Sequence, residues 1–157
     1  MRIIYINPPY GKDFVRSARW AAKSRGRVQR HPEQALIQIA VLEEAGHICK
    51  FVEGAARNMA EEEVLNEACE FQPELAIIHT TTPSIYSDIN YAKKVKKMSG
   101  CKTALVGAHS SALPEQTIEI DKESIDMVAF GEIDYTLRDI ANGVSYKETP
   151  LAISRKV

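Results

Sequence analysis

Arg2-Ile3-Ile4-Tyr5-Ile6-Asn7-Pro8-Pro9 opens the chain with an unbroken apolar run that a Pro-Pro turn stops. A strand exposed on one face alternates apolar and polar residues, whereas a continuous run fits a strand covered on both faces, as in parallel sheets flanked by helices. Working outward, four more runs predict strands: Ile48 to Val52, Leu75 to Ile78, Thr103 to Val106 and Asp126 to Phe130. Helical stretches separate them. Pro32 suits a helix start, Leu36, Ile39 and Ala40 share a face, and Gly46 is a stop. Asn58 stands three residues before Glu61 as a capping arrangement, ahead of a helix with Val64, Ala68 and Phe71 on its apolar side. Thr82 and Pro83 supply a cap and first residue for a helix carrying Ile85, Ile89, Ala92 and Val95, which Gly100 ends. A short helix is expected near Pro114. A last one is capped by Asp134, runs through Leu137 and Ile140, and stops at Gly143.

Five strands alternating with helices predict an α/β domain with a doubly wound, Rossmann or flavodoxin-like parallel sheet in the order 2-1-3-4-5, joined by right-handed crossovers. The 157 residues fit one domain over 1–145, and 146–157 reads as a linker or tail. With 45% apolar and 26% charged residues and a net charge of −1, the composition is that of an ordinary globular protein. Neither nucleic acid nor a membrane span is expected as a partner, and a cytoplasmic setting is. Cys49, Cys69 and Cys101 are spaced for neither a disulfide framework nor a metal cluster, so no metal site is expected and buried free thiols are.

In such a sheet a ligand lies beyond the carboxyl ends of the strands, at the switch point of strand order. About 24 residues separate the first strand from the first helix, where α/β connections typically need roughly 2–6. From Lys12 to Arg30 that loop holds seven basic residues against the single acid Asp13. Each of its arginines is expected to be solvated, and Trp20 is a candidate to pack beneath a flat ligand. The other strand-end loops are Thr80-Thr81-Thr82-Pro83-Ser84, Gly107-Ala108-His109-Ser110-Ser111 and Gly131-Glu132. Gly-rich dinucleotide and triphosphate cradles are absent. His79 stands where a receiver domain would need its phosphorylated aspartate, and is read as structural. No nucleophile, base and orienting group converge, so no catalytic residue is assigned.

In order and type these loops resemble the N-terminal domain of cobalamin-dependent radical S-adenosylmethionine proteins, including those similar to the anaerobic magnesium-protoporphyrin ester cyclase. Asn7-Pro8-Pro9 follows the first strand, and the helix from Gln38 ends in Gly46-His47. Thr80-Thr81-Thr82-Pro83-Ser84-Ile85-Tyr86 follows the third. Gly107-Ala108-His109 to Pro114-Glu115 resembles the family's G-G-x-H-x-x-x-x-P-E, and Gly131-Glu132 to Thr136 its G-E-x-E-x-T. The resemblance implies a corrin ring across the strand ends and a nucleotide tail beside the sheet. The implied cofactor-binding residues are Asn7, Pro8, Pro9, Tyr10, Thr80, Thr81, Thr82, Gly107, Ala108, His109, Ser110, Gly131 and Glu132. Thr81 and Thr82 would contact the tail or ring amides, Gly107 and Ala108 would let the tail pass close to the backbone, and Gly131-Glu132 would line its far side. Enlarging Gly107 is therefore expected to weaken cobalamin binding far more than stability.

Two departures stand out. Ala108 replaces the family's second Gly, and the C-x-x-x-C-x-x-C that binds a four-iron cluster is missing. The resemblance thus implies a cobalamin-binding module, non-catalytic alone. Its radical S-adenosylmethionine partner domain, in the same longer chain or separate, would carry the iron–sulfur cluster and S-adenosylmethionine and perform methyl transfer or cyclase-type chemistry. No Asp-x-His follows the first strand, so cobalamin is expected base-off with no protein histidine on cobalt; His31 is the only imidazole in that loop. The competing expectation is a flavodoxin-like interaction or sensory domain without a cofactor, marked by a collapsed strand-end crevice.

Overall fold

The computed structural model describes residues 1–17, 20–23, 32–145, 149 and 151–154, with the side chains of 17 and 20–23 outside the description. The main sheet has six strands: β1 (Arg2–Asn7), β4 (Ile48–Glu53), β5 (Leu75–Thr80), β6 (Lys102–Gly107), β7 (Met127–Ala129) and β8 (Ala152–Ser154). They lie in the order β4-β1-β5-β6-β7-β8. The first five pair in parallel, with Ile3 opposite Cys49 on one side and Leu75 on the other. This is the order 2-1-3-4-5 read from the sequence. The sixth strand is additional and antiparallel, Val128 facing Ile153. It comes from the 146–157 segment.

The runs of β1, β5 and β6 form strands because both their faces are covered, whereas the edge strand β4 is mostly half-buried. Ile4, Ile6, Ala76, Ile78 and Leu105 point into one core with α2 (Glu61–Phe71), α3 (Ile85–Ser99) and α5 (Pro114–Ile120). Ile3, Tyr5, Leu75, Ile77 and Ala104 point into the other with α1 (Glu33–Glu44) and α6 (Asp134–Ala141). Each fully buried aliphatic side chain contributes about 1.5–3 kcal/mol, so the strand centres carry the stability of the fold. α3 buries Ile85, Ile89, Ala92 and Val95 as their spacing predicts. It stops where Gly100, at φ +69°, donates its N–H to Lys96 O at 2.8 Å.

Several local expectations are corrected. α1 buries Ala35, Gln38, Ile39 and Leu42, while Leu36 and Ile37 are exposed and so is Ala40. The helix is apolar nearly all round, so periodicity alone did not select the packed face. Asn58 caps nothing: it sits at φ +49° and its Oδ1 accepts the Asp13 N–H at 3.0 Å. The first turn of α2 is instead closed by Glu63, which accepts the Ala60 N–H at 2.6 Å. Thr82 opens a 3₁₀ turn without a side-chain cap bond, and Ile133 rather than Asp134 precedes α6. Of the three free thiols only Cys101 is buried. The long first loop contains an antiparallel hairpin, β2 (Phe14–Ser17) with β3 (Trp20–Lys23). The Trp20 side chain, Arg19, Arg25, Arg27, Arg30 and His31 lie outside the described residues. No helix among the described residues is long and apolar enough to cross a membrane.

Candidate functional site

At the carboxyl ends of β1, β5, β6 and β7, on the side covered by α1 and α6, the structure leaves a cavity of about 430 Å³. Gly107 and Ala108 form one wall, Gly131 and Glu132 another, and Ile37 and Gln38 of α1 a third. Tyr5 and His79 also line it. Ser111 fastens two of these walls together by accepting the Gly131 N–H at 3.2 Å. Four of the expected site residues, Gly107, Ala108, Gly131 and Glu132, are thus brought together around one space.

The remaining expected residues build the walls. Asn7 is buried and donates its Nδ2 to both Glu53 carboxylate oxygens, at 2.8 and 2.9 Å. Thr80 Oγ1 donates to Val106 O at 2.8 Å and lies 2.7 Å from Ser110 Oγ, joining β5 to α4 (Ala108–Ala112). His109 is buried, with Nδ1 3.3 Å from the hydroxyl of exposed Thr82. Thr81 is buried with its hydroxyl 2.6 Å from Ser84 Oγ, so it faces the protein rather than the cavity. Pro8 gives its carbonyl to Arg16 at 2.7 Å, Tyr10 stacks edge-on against Phe14 at 4.9 Å, and Pro9 borders a separate cavity with Lys12 and Tyr91.

Arg16 corrects the expectation of solvated arginines. It is buried, and Nη2 lies 2.6 Å from Asp88 Oδ2 with both side chains fully enclosed. The guanidinium also donates to His79 O at 3.1 Å and to Ser84 Oγ at 2.9 Å. Asp88 in turn accepts the Thr81 N–H at 3.1 Å and the Ser84 hydroxyl at 2.8 Å. One ion pair therefore ties the hairpin, the Asn7-Pro8-Pro9 turn and the triple-threonine loop into a single unit. Sequence reasoning missed it because the partners are separated by 72 residues and no local pattern links them.

Gly107 is also corrected. At φ +109°, an added Cβ would fall 2.5 Å from Thr80 O and 3.1 Å from His79 Cε1. Its first constraint is the neighbouring backbone of β5, so substitution harms the fold before it narrows any ligand path. Gly54, unremarked in the sequence, meets a similar constraint from Pro9 Cδ at 2.7 Å and Asn7 O at 3.1 Å.

Buried polar atoms show what the cavity lacks. Among the described residues His79 Nε2 and Gln38 Oε1 are both enclosed without a hydrogen-bond partner, and both residues line the cavity. Burial, with the Arg16 charge behind it, lowers the His79 pKa to about 3, so the ring is neutral. An unpartnered ring nitrogen and amide oxygen beside small-residue walls fit a polar ligand that enters from the strand ends. Among the described residues, no group of three His, Cys, Asp or Glu is arranged to hold a metal ion.

The family model for the B12 binding domain matches residues 28–141. The chain belongs to the B12-binding domain family. No curated protein matches it. Among solved structures, this B12-binding domain is similar to the radical S-adenosylmethionine methyltransferase TsrM from Kitasatospora setae. With cobalamin and a 4Fe–4S cluster bound to that enzyme, the TM-score is 0.76 at 14% identity over 99% of this chain. With tryptophan substrate and a SAM analogue bound, it is 0.75 at 14% identity over 99%. The chain spans 29% and 28% of those two chains. At that identity the likeness shows a shared fold, in which the cavity of this B12-binding domain lies at the switch point between β1 and β5.

Proposed function

We propose that this domain holds cobalamin at its strand ends and serves a radical S-adenosylmethionine domain that supplies the iron–sulfur cluster and S-adenosylmethionine. The observation that carries the reading is the open cavity between Gly107-Ala108 and Gly131-Glu132, inside the span that matches the B12-binding family. An open crevice argues against the cofactor-free interaction domain, whose sign would be collapse. Gly107, Ala108, Gly131 and Glu132 would line the channel for the nucleotide tail. Thr80, Thr81, Ser110 and the Arg16–Asp88 pair hold those walls in register, Asn7, Pro8, Pro9 and Tyr10 fix the loop beside them, and Thr82 and His109 brace α4. Bound there, cobalamin supplies a cobalt centre that accepts and passes on a methyl group.

The domain is non-catalytic alone, and the 146–157 segment, which also gives β8 to its sheet, leads toward the partner domain, in the same longer chain or a separate one. The cofactor is bound base-off with no protein histidine on cobalt. In support, the loop after β1 offers Asn7, whose amide is committed to Glu53, and no imidazole up to Arg30. The setting is the cytoplasm.

The test adds hydroxocobalamin to the purified chain and follows its visible spectrum and calorimetric heat. A shifted spectrum with saturable heat is expected. Unchanged spectra and no heat at high micromolar cobalamin would overturn the proposal.

A further inference from the structure

A second cavity, of about 500 Å³, lies where the loop after β1 meets the start of α2 and the middle of α3. Pro9 and Lys12 come from the first of these, Asn58, Met59 and Glu61 from the second, and Tyr91 from the third. Its volume falls within the ordinary range for small-molecule sites. Tyr91 and Met59 belong to the core on the α2 and α3 side, whereas the strand-end cavity lies on the α1 and α6 side, and the two cavities share no lining residue among the described ones. Tyr91 is 3% exposed, and its hydroxyl makes no hydrogen bond among the described residues. Buried hydroxyls are normally paired, so a tyrosine that lines a cavity without a protein partner marks a place for a ligand. Burial, with the Glu61 charge behind it, pushes the pKa of that hydroxyl up to about 12, so it stays protonated and able to donate. The rim is held in place, because the Asp13 N–H donates to Asn58 Oδ1 at 3.0 Å and ties the two loops together.

The groups that line this space decide what it takes. Glu61 is paired with Lys94, whereas Lys12 is exposed and has no ion-pair partner among the described residues. The uncommitted charge is therefore positive. Asn58 Oδ1 is occupied by the Asp13 N–H, which leaves the amide nitrogen as a donor beside the Tyr91 hydroxyl. Pro9 and Met59 add apolar surface. We infer that this cavity is a second ligand site that takes a small organic carboxylate on an apolar body, with Lys12 as its counter-charge, Tyr91 and Asn58 as its hydrogen-bond donors, and Pro9 and Met59 against the body. A carboxylate brings two acceptor oxygens to a site whose free groups are a cation and two donors. An ammonium meets the like charge of Lys12 and finds Glu61 already paired. The site goes beyond the cobalamin reading and does not rest on it.

The experiment titrates the full chain, without cobalamin, with benzoate, its neutral counterpart benzamide, benzylamine and inorganic phosphate, and follows the backbone amide signals by nuclear magnetic resonance. Benzoate up to about 20 mM covers the affinity that a ligand of so few atoms can reach. The expected result is a saturable benzoate shift at Lys12, Asn58 and Glu61 with Gly107 and Gly131 unmoved, and weaker binding of the other three probes. Y91F should weaken benzoate about tenfold, and K12M about fivefold at low salt. Because the Tyr91 hydroxyl bonds to no described residue, Y91F should keep the Tm of the unliganded chain, so its loss of affinity is not a loss of fold. No saturable benzoate shift, benzamide, benzylamine or phosphate binding as tightly as benzoate, or wild-type affinity in both variants would overturn the inference. So would shifts centred on Gly107 and Gly131, which place the anion in the strand-end cavity, or a lowered Tm in unliganded Y91F, which shows the hydroxyl to be holding the fold.

Discussion

Replacing Arg16 with Met removes the positive half of an ion pair whose two side chains are fully enclosed, while keeping an unbranched chain of similar reach. Asp88 then keeps its hydrogen bonds from the Thr81 N–H and Ser84 Oγ but loses its counter-charge, and the carbonyls of Pro8 and His79 lose a donor. Breaking one side of a buried pair costs about 3–5 kcal/mol. For a domain of this size that lowers Tm by roughly 6–20 °C. The cost depends on pH in a defined direction. Burial raises the Asp88 carboxyl, and Arg16 is the strongest influence pulling it back; without Arg16 it rises further. A carboxyl raised in the folded state contributes stability that is present below its unfolded value and is lost as pH rises through its folded value. R16M should therefore be less damaged at a lower assay pH than at a higher one. Urea denaturation of R16M, D88L and R16M/D88L at both pH values measures this, and the double variant should recover most of the loss. An R16M midpoint matching wild type at both pH values would show that the pair is solvated, and the unit it joins would dissolve with it.

Gly107→Ala should lower the apo-protein Tm, since its Cβ would sit 2.5 Å from Thr80 O in a left-handed backbone; unchanged apo stability with weakened cobalamin binding would restore the ligand-path explanation. Thr80→Val keeps the shape of the side chain but deletes the hydroxyl between Val106 O and Ser110 Oγ, and should cost about 1–3 kcal/mol by chemical denaturation. Electron paramagnetic resonance of the chain with cobalt(II) cobalamin should show no nitrogen splitting; a splitting lost in H31A would place a protein ligand on cobalt, and one that persists would place the cofactor's own base there.

The sheet was legible because Ile3 to Ile6, Leu75 to Ile78 and Thr103 to Val106 are buried on both faces, so a local apolar run reports a global position. Helix stops were legible where a left-handed residue was required, as at Gly100. The site was legible in part: small residues at strand ends identified two walls, Gly107-Ala108 and Gly131-Glu132. His79 and Gln38 were not identified as cavity residues, because a strand histidine and a helical glutamine acquire meaning only when a neighbour fails to satisfy them. The hairpin escaped because its arginines read as solvent-facing, whereas Asp88, far along the chain, buries one of them. β8 escaped because three half-buried residues carry too little pattern to mark a strand.

That short strand has a consequence for the solubility of the fold. Parallel sheets end in rows of unpaired amides and carbonyls that invite a second copy to continue the ladder. Here β7 is closed by Ala152–Ser154 running the opposite way, and its short length gives an incoming strand little to template on. The sheet terminates itself on that side. A chain cut before Ala152 would expose Met127, Val128 and Ala129 as a sticky edge and invite association edge to edge.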